Sequence, residues 1–194
     1  MAANPASQPE RVLLTTVHCV VAYDVYPKAR VHLLLLPRVP GLSGPHALGT
    51  EHAPLLRHMT ALAEWLAPQL RSQVPRLAPL RCGFHVVPSM EHLHLHLISH
   101  DFEAPDLKKP RHFISFTTDY LRPPKAWAEE LERFGRLHVD RYAEEAKLKA
   151  PMRCPLSGRV LGEGLQAVKE YLRSTEYLDL VQRLRDDVVY ALRS

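Results

Sequence analysis

The chain has 194 residues, which suits one domain of ordinary size, or one domain with a small appendage. Hydrophobic residues make up 46% and charged residues 24%, a balance typical of soluble globular proteins, and no apolar run approaches the length of a membrane span. The net charge of +4 permits an acidic partner but does not by itself indicate nucleic acid. Three cysteines without CxxC spacing (Cys19, Cys82 and Cys154) indicate neither a disulfide framework nor an intact zinc finger, and favour a reducing intracellular compartment.

The N-terminal half predicts a disordered tail followed by two strands. Residues 1–10 are polar and lack the features of a signal peptide. Residues 11–22 are rich in apolar and β-branched side chains and predict one strand, and residues 31–36 predict a second. Asp24 and Pro27 supply turn chemistry between them. We therefore expect a hairpin.

A helix is predicted after Thr50, whose hydroxyl suits a helix cap, because apolar residues follow at helical spacing up to Leu66. Residues 82–87 predict a strand, and residues 112–116 a short one. Helices are expected over 126–134, 142–149, 164–173 and 176–193, with a domain boundary near residue 122.

Residues 92–98 read HLHLHLI, with three histidines at every second position. A strand directs alternate side chains to opposite faces, so this segment predicts a strand with a leucine face and an imidazole face. The rings of His92, His94 and His96 would then lie in a row, about 6–7 Å apart, within reach of one phosphate group.

Three interpretations of this segment remain open. The first is a sheet face that is merely rich in histidine. The second is a zinc site, which needs a further ligand such as His85 or Glu91. The third is phosphoryl or nucleotidyl transfer with one imidazole as nucleophile, which is favoured because a neutral imidazole is a competent nucleophile near pH 7.

The alternating pattern resembles the signature of the histidine triad (HIT) superfamily. Residues 26–30 (YPKAR), 83–85 (GFH), 88–90 (PSM), 98–99 (IS) and 106–116 further resemble the aprataxin family. The resemblance implies an α+β fold, with an antiparallel HIT sheet, packed helices and a small helical C-terminal extension. It assigns residues 11–122 to the HIT catalytic domain and residues 123–194 to a helical, zinc-finger-like region.

The resemblance also implies a reaction, because aprataxins hydrolyse adenylated DNA. His94 would attack the phosphorus of an AMP that is joined by a pyrophosphate linkage to a DNA 5′ end, and water would then release AMP from the histidine. His96 and His32 would bind or protonate phosphate oxygens, and His92 would orient its neighbour.

The same resemblance places four further residues at the nucleotide and three at the DNA. The residues that would contact the adenylate are Asp24, Lys28, Ser89 and Met90. A basic group would contact DNA phosphates, and it consists of Lys108, Lys109 and Arg111. Simpler interpretations stay open. Lys28 suits a solvated turn, the basic group suits a solvated charge run, and His32 and His85 suit structural positions.

The C-terminal region departs from the family pattern. A zinc finger of C-x-x-C and H-x-x-x-H/E type is expected there, but only Cys154 matches, and Ser157, Tyr171 and Thr175 stand at the other ligand positions. One thiolate cannot form a structural zinc site, so we predict no zinc and no cofactor. The helix that wedges against the DNA end in this family also has no counterpart in the ten residues before the first predicted strand.

The favoured function is hydrolysis of 5′-adenylated DNA ends and nicks in DNA repair, with AMP as product, no membrane partner and a nuclear location implied by the substrate. One alternative is a HIT hydrolase acting on small adenylates or dinucleoside polyphosphates. The other is a non-catalytic module that binds DNA ends, which the intact triad disfavours because a pure binder has no need of His94.

Overall fold

The computed structural model describes residues 9–162 and 164–184. Most of the predicted tail and the part of the predicted last helix beyond residue 184 therefore lie outside the described residues. Within these ranges, no helix has the length and apolar character needed to cross a bilayer.

The centre of the molecule is a six-stranded antiparallel sheet. Its strands are β1 (Val12–Thr15), β2 (Cys19–Tyr23), β3 (His32–Pro37), β4 (Leu80–His85), β5 (Leu95–Ser99) and β6 (Leu121–Arg122). Their order across the sheet is β1-β2-β3-β5-β4-β6. The antiparallel pairing of β2 with β3 confirms the predicted hairpin.

The single strand predicted over residues 11–22 is wrong, because the chain reverses between β1 and β2. The Thr16 hydroxyl accepts a hydrogen bond from the backbone N–H of Cys19 at 2.9 Å, and the Thr16 N–H donates to the Cys19 carbonyl at 2.8 Å. Threonine makes such turns without glycine or proline. No strong turn residue therefore marked this reversal in the sequence.

One face of the sheet is covered by α1 (Ala53–Gln73) and α3 (Pro124–Phe134). The buried stripe of α1 repeats at helical spacing, at Leu56, Met59, Ala63 and Leu66. Trp127 of α3 stacks on Phe84 of β4, with ring centroids 4.7 Å apart and planes inclined by 8°. Both helices therefore share one core with the sheet.

The other face carries α2 (Pro110–Thr117), α5 (Leu165–Leu172) and α6 (Thr175–Leu184). Phe113, Val168 and Tyr177 belong to the second apolar cluster that these three helices help to form. Helix α4 (Arg141–Lys147) is joined to β6 by the ion pair of Glu144 with Arg122. The short strand predicted over 112–116 is wrong, since these residues lie in α2. Five apolar-rich residues fit either period, and Pro110 at the first turn favours a helix start.

Strand β5 lies between β3 and β4, with Leu34 and Gly83 opposite His96. Leu95 and Leu97 point into the core shared with α1, so His96 and Ile98 point to the opposite face. The leucines that alternate with the histidines thus anchor the strand, and one imidazole is held at the middle of the sheet.

Candidate active site

The three histidines do not form the predicted row. Strand β5 begins at Leu95, and His92 has a left-handed backbone with φ 75°. That conformation turns the His92 ring toward the end of β3, where its Nε2 lies 3.0 Å from the Pro37 carbonyl oxygen. The residue types alternate from His92 onward, but the extended strand backbone begins only at Leu95, one residue after His94.

His94 is oriented by the backbone of His92. Its Nδ1 lies 2.9 Å from the His92 carbonyl oxygen, which can only accept, so Nδ1 carries the hydrogen and donates it. In the neutral ring the lone pair is then on Nε2. The rings of His94 and His96 meet edge to face, with centroids 4.8 Å apart. His94 is thereby set as a nucleophile of defined tautomer.

His32 and His96 form a hydrogen-bonded pair behind His94. The backbone N–H of Lys28 donates to His32 Nδ1 at 3.2 Å, so His32 holds its own hydrogen on Nε2. That atom lies 3.0 Å from His96 Nδ1 and 3.5 Å from an Asp24 carboxylate oxygen. His96 therefore carries its hydrogen on Nε2, which is buried and has no hydrogen-bond partner in the described part of the chain.

Burial keeps these imidazoles neutral. Loss of solvent lowers the pKa of His94 below its usual value, against a smaller opposing effect of its bond to the His92 carbonyl. Burial lowers the pKa of His32 and of His96 much further, and the neighbouring histidines and Lys28 add to it. At neutral pH the site therefore has a nucleophilic lone pair and neutral N–H donors.

The imidazoles line a cavity of about 510 Å³, large enough for a nucleotide. The structure brings together here every predicted site residue except His92: Asp24, Lys28, His32, Ser89, Met90, His94, His96, Lys108, Lys109 and Arg111. His92 contacts the site through its carbonyl group, which lies 2.9 Å from His94 Nδ1. Its ring lies elsewhere.

The rim of the cavity carries an excess of positive charge. Lys28 contacts the Tyr26 carbonyl oxygen, and partial burial lowers the pKa of its ammonium group. Lys108 is paired with Asp106 at 2.7 Å, so part of its charge is already balanced. Lys109 and Arg111 are exposed and have no ion pair within residues 9–162 and 164–184, which leaves them free for an anionic ligand.

Sequence reasoning missed several lining residues, among them Tyr26, Ser115 and Tyr120, and left His85 as structural. The His85 ring lies against His96, with centroids 4.5 Å apart, and burial lowers its pKa to about 3. The sequence offered a signal for His85, because it lies two residues after Gly83 and therefore on the same face of the strand, and Gly83 is paired with His96. Ser115 carried none, because its segment was predicted to be a strand.

A metal ion has one possible location among the described residues. Asp24, His32 and His96 offer ligand atoms within 4.8 Å of one another. However, the hydrogen bond between His32 Nε2 and His96 Nδ1 already occupies these two ring nitrogens, and Lys28 adds positive charge beside them. We therefore derive no chemistry through a metal.

Comparison with known proteins assigns the family. The model of the family described as scavenger mRNA decapping enzyme C-terminal binding matches residues 3–112, more than half of the chain. The chain belongs to this family. The match covers strands β1 to β5, α1 and all three triad positions, so it includes most of the residues that line the cavity.

Relatives of this family member include several aprataxins. The zebrafish (Danio rerio) aprataxin is 44% identical over 142 residues, covering 72% of this chain and 42% of the relative. The chicken (Gallus gallus) aprataxin is 38% identical over 154 residues, covering 79% and 47%. The chain thus spans less than half the length of these relatives. These similarities confirm the resemblance to aprataxins that the sequence motifs indicated.

Solved structures confirm the fold class. The aprataxin ortholog Hnt3 from Schizosaccharomyces pombe superposes with a TM-score of 0.71 at 24% identity, covering 93% of each chain. A structure of aprataxin ortholog Hnt3 in complex with DNA gives a TM-score of 0.72, also at 24% identity, covering 93% of this chain and 95% of the other. The expected α+β fold of HIT type is therefore correct.

Proposed function

We propose that this protein hydrolyses 5′-adenylated DNA and releases AMP. The observation that carries the proposal is the His94 ring, fixed by the His92 carbonyl with its Nε2 lone pair in a cavity rimmed by cations. An aprataxin ortholog with this fold has been solved in complex with DNA. A DNA substrate also gives Lys109 and Arg111 a function, since a small nucleotide needs no cations at the rim.

The reaction follows from the arrangement of the imidazoles. His94 Nε2 forms a bond to the AMP phosphorus, and the bond from that phosphorus to the bridging oxygen of the DNA 5′-phosphate breaks. The DNA phosphate leaves with the electron pair, and because it is a good leaving group no strong acid is required. Water then attacks the phosphorus, and the nitrogen–phosphorus bond breaks with its electron pair returning to Nε2. The protons of the water pass to solvent, so that neutral His94 is restored and AMP leaves as a dianion.

The neighbouring groups stabilise charge on the transferred phosphorus. The Nε2 hydrogen of His96 donates to a phosphoryl oxygen, and the His32 N–H behind it supports this by donating to His96 Nδ1. Lys28 supplies positive charge beside the pair. Asp24 accepts the backbone N–H of Tyr26 at 2.7 Å and so holds the 24–28 turn next to His32.

A hydrolase of small adenylates is the second candidate, because the cavity holds a nucleotide without DNA. The experiment compares 5′-adenylated nicked DNA with a diadenosine polyphosphate, using the wild type and His94→Ala. We expect turnover of the DNA, and a loss of at least about 10³-fold in the variant. Turnover of only the small nucleotide would exclude the DNA substrate. Binding of DNA without turnover of either substrate would favour a non-catalytic module.

The exposed cations provide a more selective test. Replacing Lys109 and Arg111 with alanine removes two phosphate contacts, so KM for DNA should rise about tenfold. The slope of log KM for DNA against log salt concentration should decrease by about 2. Turnover of the small nucleotide should not change. Arg133→Ala, an exposed arginine at the end of α3, is the matched control and should change neither KM.

We also propose a nuclear location, supported only by the proposed DNA substrate. Imaging of the tagged chain in cells, with a diffuse cytosolic signal as the contradicting result, tests this separately.

A further inference from the structure

A closed turn lies where the family pattern has the first pair of zinc ligands. Arg153 pairs with Val160 in an isolated antiparallel bridge. Between them, the Cys154 N–H donates to the Arg159 carbonyl at 2.8 Å, and the Gly158 N–H donates to the Cys154 carbonyl at 2.9 Å. Gly158 has φ 72°, a conformation that favours glycine. Backbone hydrogen bonds therefore close this turn.

The side chains around the turn do not fit a zinc ion. Cys154 is buried, and the Ser157 N–H donates to its sulfur at 3.4 Å. The other ligand positions hold Ser157, Tyr171 and Thr175, whereas structural zinc sites use thiolate, imidazole or carboxylate. Across residues 9–162 and 164–184, the only cluster of suitable ligands is the one in the catalytic cavity. A different arrangement must join the turn to the helices.

Tyrosine side chains fill this position. The Tyr171 hydroxyl is buried beside the Cys154 thiol and the Ser157 hydroxyl, and burial raises its pKa to about 12. The Tyr171 ring meets the Tyr177 ring edge to face, with centroids 5.7 Å apart. These contacts connect the turn to α5 and α5 to α6. They are apolar or neutral, as a metal-free junction requires.

An ion pair covers the outer side of this junction. The Arg159 guanidinium lies over the Tyr171 ring, 5.6 Å from its centroid. Its Nη1 also donates to both carboxylate oxygens of Glu176, at 2.8 and 2.9 Å. One arginine of the turn therefore contacts both C-terminal helices.

We propose that Cys154, Ser157, Tyr171, Tyr177 and the Arg159–Glu176 pair form a tyrosine cluster that replaces the zinc site without a metal. The cluster also holds the C-terminal helices on the catalytic sheet, because the Tyr177 hydroxyl donates to the His100 carbonyl at 2.5 Å. His100 directly follows β5, the strand that carries His96. The tyrosine cluster is thus connected to the candidate active site through strand β5.

Metal analysis and thermal unfolding of the purified chain test the absence of zinc. We expect less than about 0.1 zinc per chain and the same Tm with and without a strong chelator, because no metal binding contributes to folding. One zinc per chain together with a lower Tm in chelator would overturn the proposal.

Removal of one hydroxyl tests the cluster itself. Tyr177→Phe should lower Tm by about 3 °C and speed amide exchange at His100 and in α6, because the buried hydrogen bond to the His100 carbonyl is lost. Tyr142→Phe is the matched control, since Tyr142 is 87% exposed, and it should change neither measurement. An unchanged Tm and unchanged exchange in Tyr177→Phe would contradict the proposal.

Discussion

Two single-residue features prepare His94 for the proposed nucleophilic attack, the carbonyl of His92 and the burial of the His94 ring. The carbonyl holds the hydrogen on Nδ1 and leaves Nε2 free. Burial disfavours the imidazolium, so the pKa of His94 lies below its usual value. The residue therefore combines the correct tautomer with the correct charge state at neutral pH.

This lowered pKa predicts the pH dependence of the reaction. His94 attacks as the neutral imidazole, and this form persists below pH 6.5 because the folded-state pKa is depressed. The acid limb of kcat/KM on adenylated DNA should therefore have its midpoint below pH 6.5, measured from about pH 4.5 to 8.5. A midpoint at or above 6.5 would contradict the assignment of His94 as the nucleophile.

His92 provides a second test at this scale. We predict that His92→Asn keeps at least about a tenth of the activity, because asparagine tolerates the left-handed backbone and preserves the carbonyl that holds His94. His94→Asn should lose at least about 10³-fold. Steady-state kinetics on adenylated DNA compare the two. Equal losses would mean that the His92 ring itself touches the substrate.

Among the elements, β5 and its neighbours position the site through very close packing. A Cβ atom on Gly83 would lie 2.6 Å from the Leu121 side chain and 2.9 Å from the Arg122 carbonyl oxygen. Gly83 faces His96 across the β4–β5 ladder. Strand β6 can therefore pair with β4 beside the catalytic strand only if this position has no side chain.

Gly83→Ala should consequently destabilise the fold by about 2 kcal/mol, because the added methyl group overpacks against β6. Urea unfolding measures the change. Gly44→Ala is the matched control, since the nearest atoms there belong to the His46 ring at 3.4 Å, and it should cost less than about 0.5 kcal/mol. Equal stability of Gly83→Ala and the wild type would contradict this prediction, because β6 would then move away from the added methyl group with no loss in the free energy of unfolding.

The elements were predictable where side-chain period and length agreed. The stripe from Leu56 to Leu66 identified α1, and the apolar run around Leu34 identified β3. Residues 112–116 were misassigned because five residues fit two periods, and their tertiary contacts with the second core decide the outcome. The start of β5 was missed for another reason. The left-handed conformation of His92 has no signature in an alternating pattern.

The described part of the molecule is a sheet with apolar clusters on both faces, and several histidines are buried on the face that carries α2, α5 and α6. Burial lowers the pKa of His85 and of His100 to about 3 in each case. Within the described ranges, neither His100 ring nitrogen has a hydrogen-bond partner. The folded protein therefore holds these rings neutral, at a cost that depends on pH.

Stability should fall as the solution becomes acidic. An unfolded histidine has a pKa near 6.5, so between pH 6.5 and about 3 the unfolded chain binds more protons than the folded one. The free energy of unfolding should then decrease by about 1.4 kcal/mol per pH unit for each of the two histidines, with no such dependence above pH 7. Urea unfolding at several pH values measures this slope. His100→Leu should reduce it, while the exposed-site control His138→Gln should not.

At the scale of the site, every residue that the motifs predicted lines the cavity except His92. The His32 ring and the Asp24 carboxylate come from residues far from the triad in sequence, and the family resemblance rather than their local pattern placed them beside His96. Ser115 could not be predicted, because its place in the cavity lining arises only when α2 packs over this face.

The central claim is that His94 forms a covalent bond to AMP, and trapping that intermediate tests it most directly. The wild type is mixed with 5′-adenylated DNA, quenched in base within one turnover, digested and analysed by mass spectrometry, because a phosphoramidate survives base better than acid. The account predicts an added adenylyl mass on the peptide containing His94, and none in His94→Asn. An adduct on His92 or His96, or rapid AMP release with no adduct at any quench time, would contradict it.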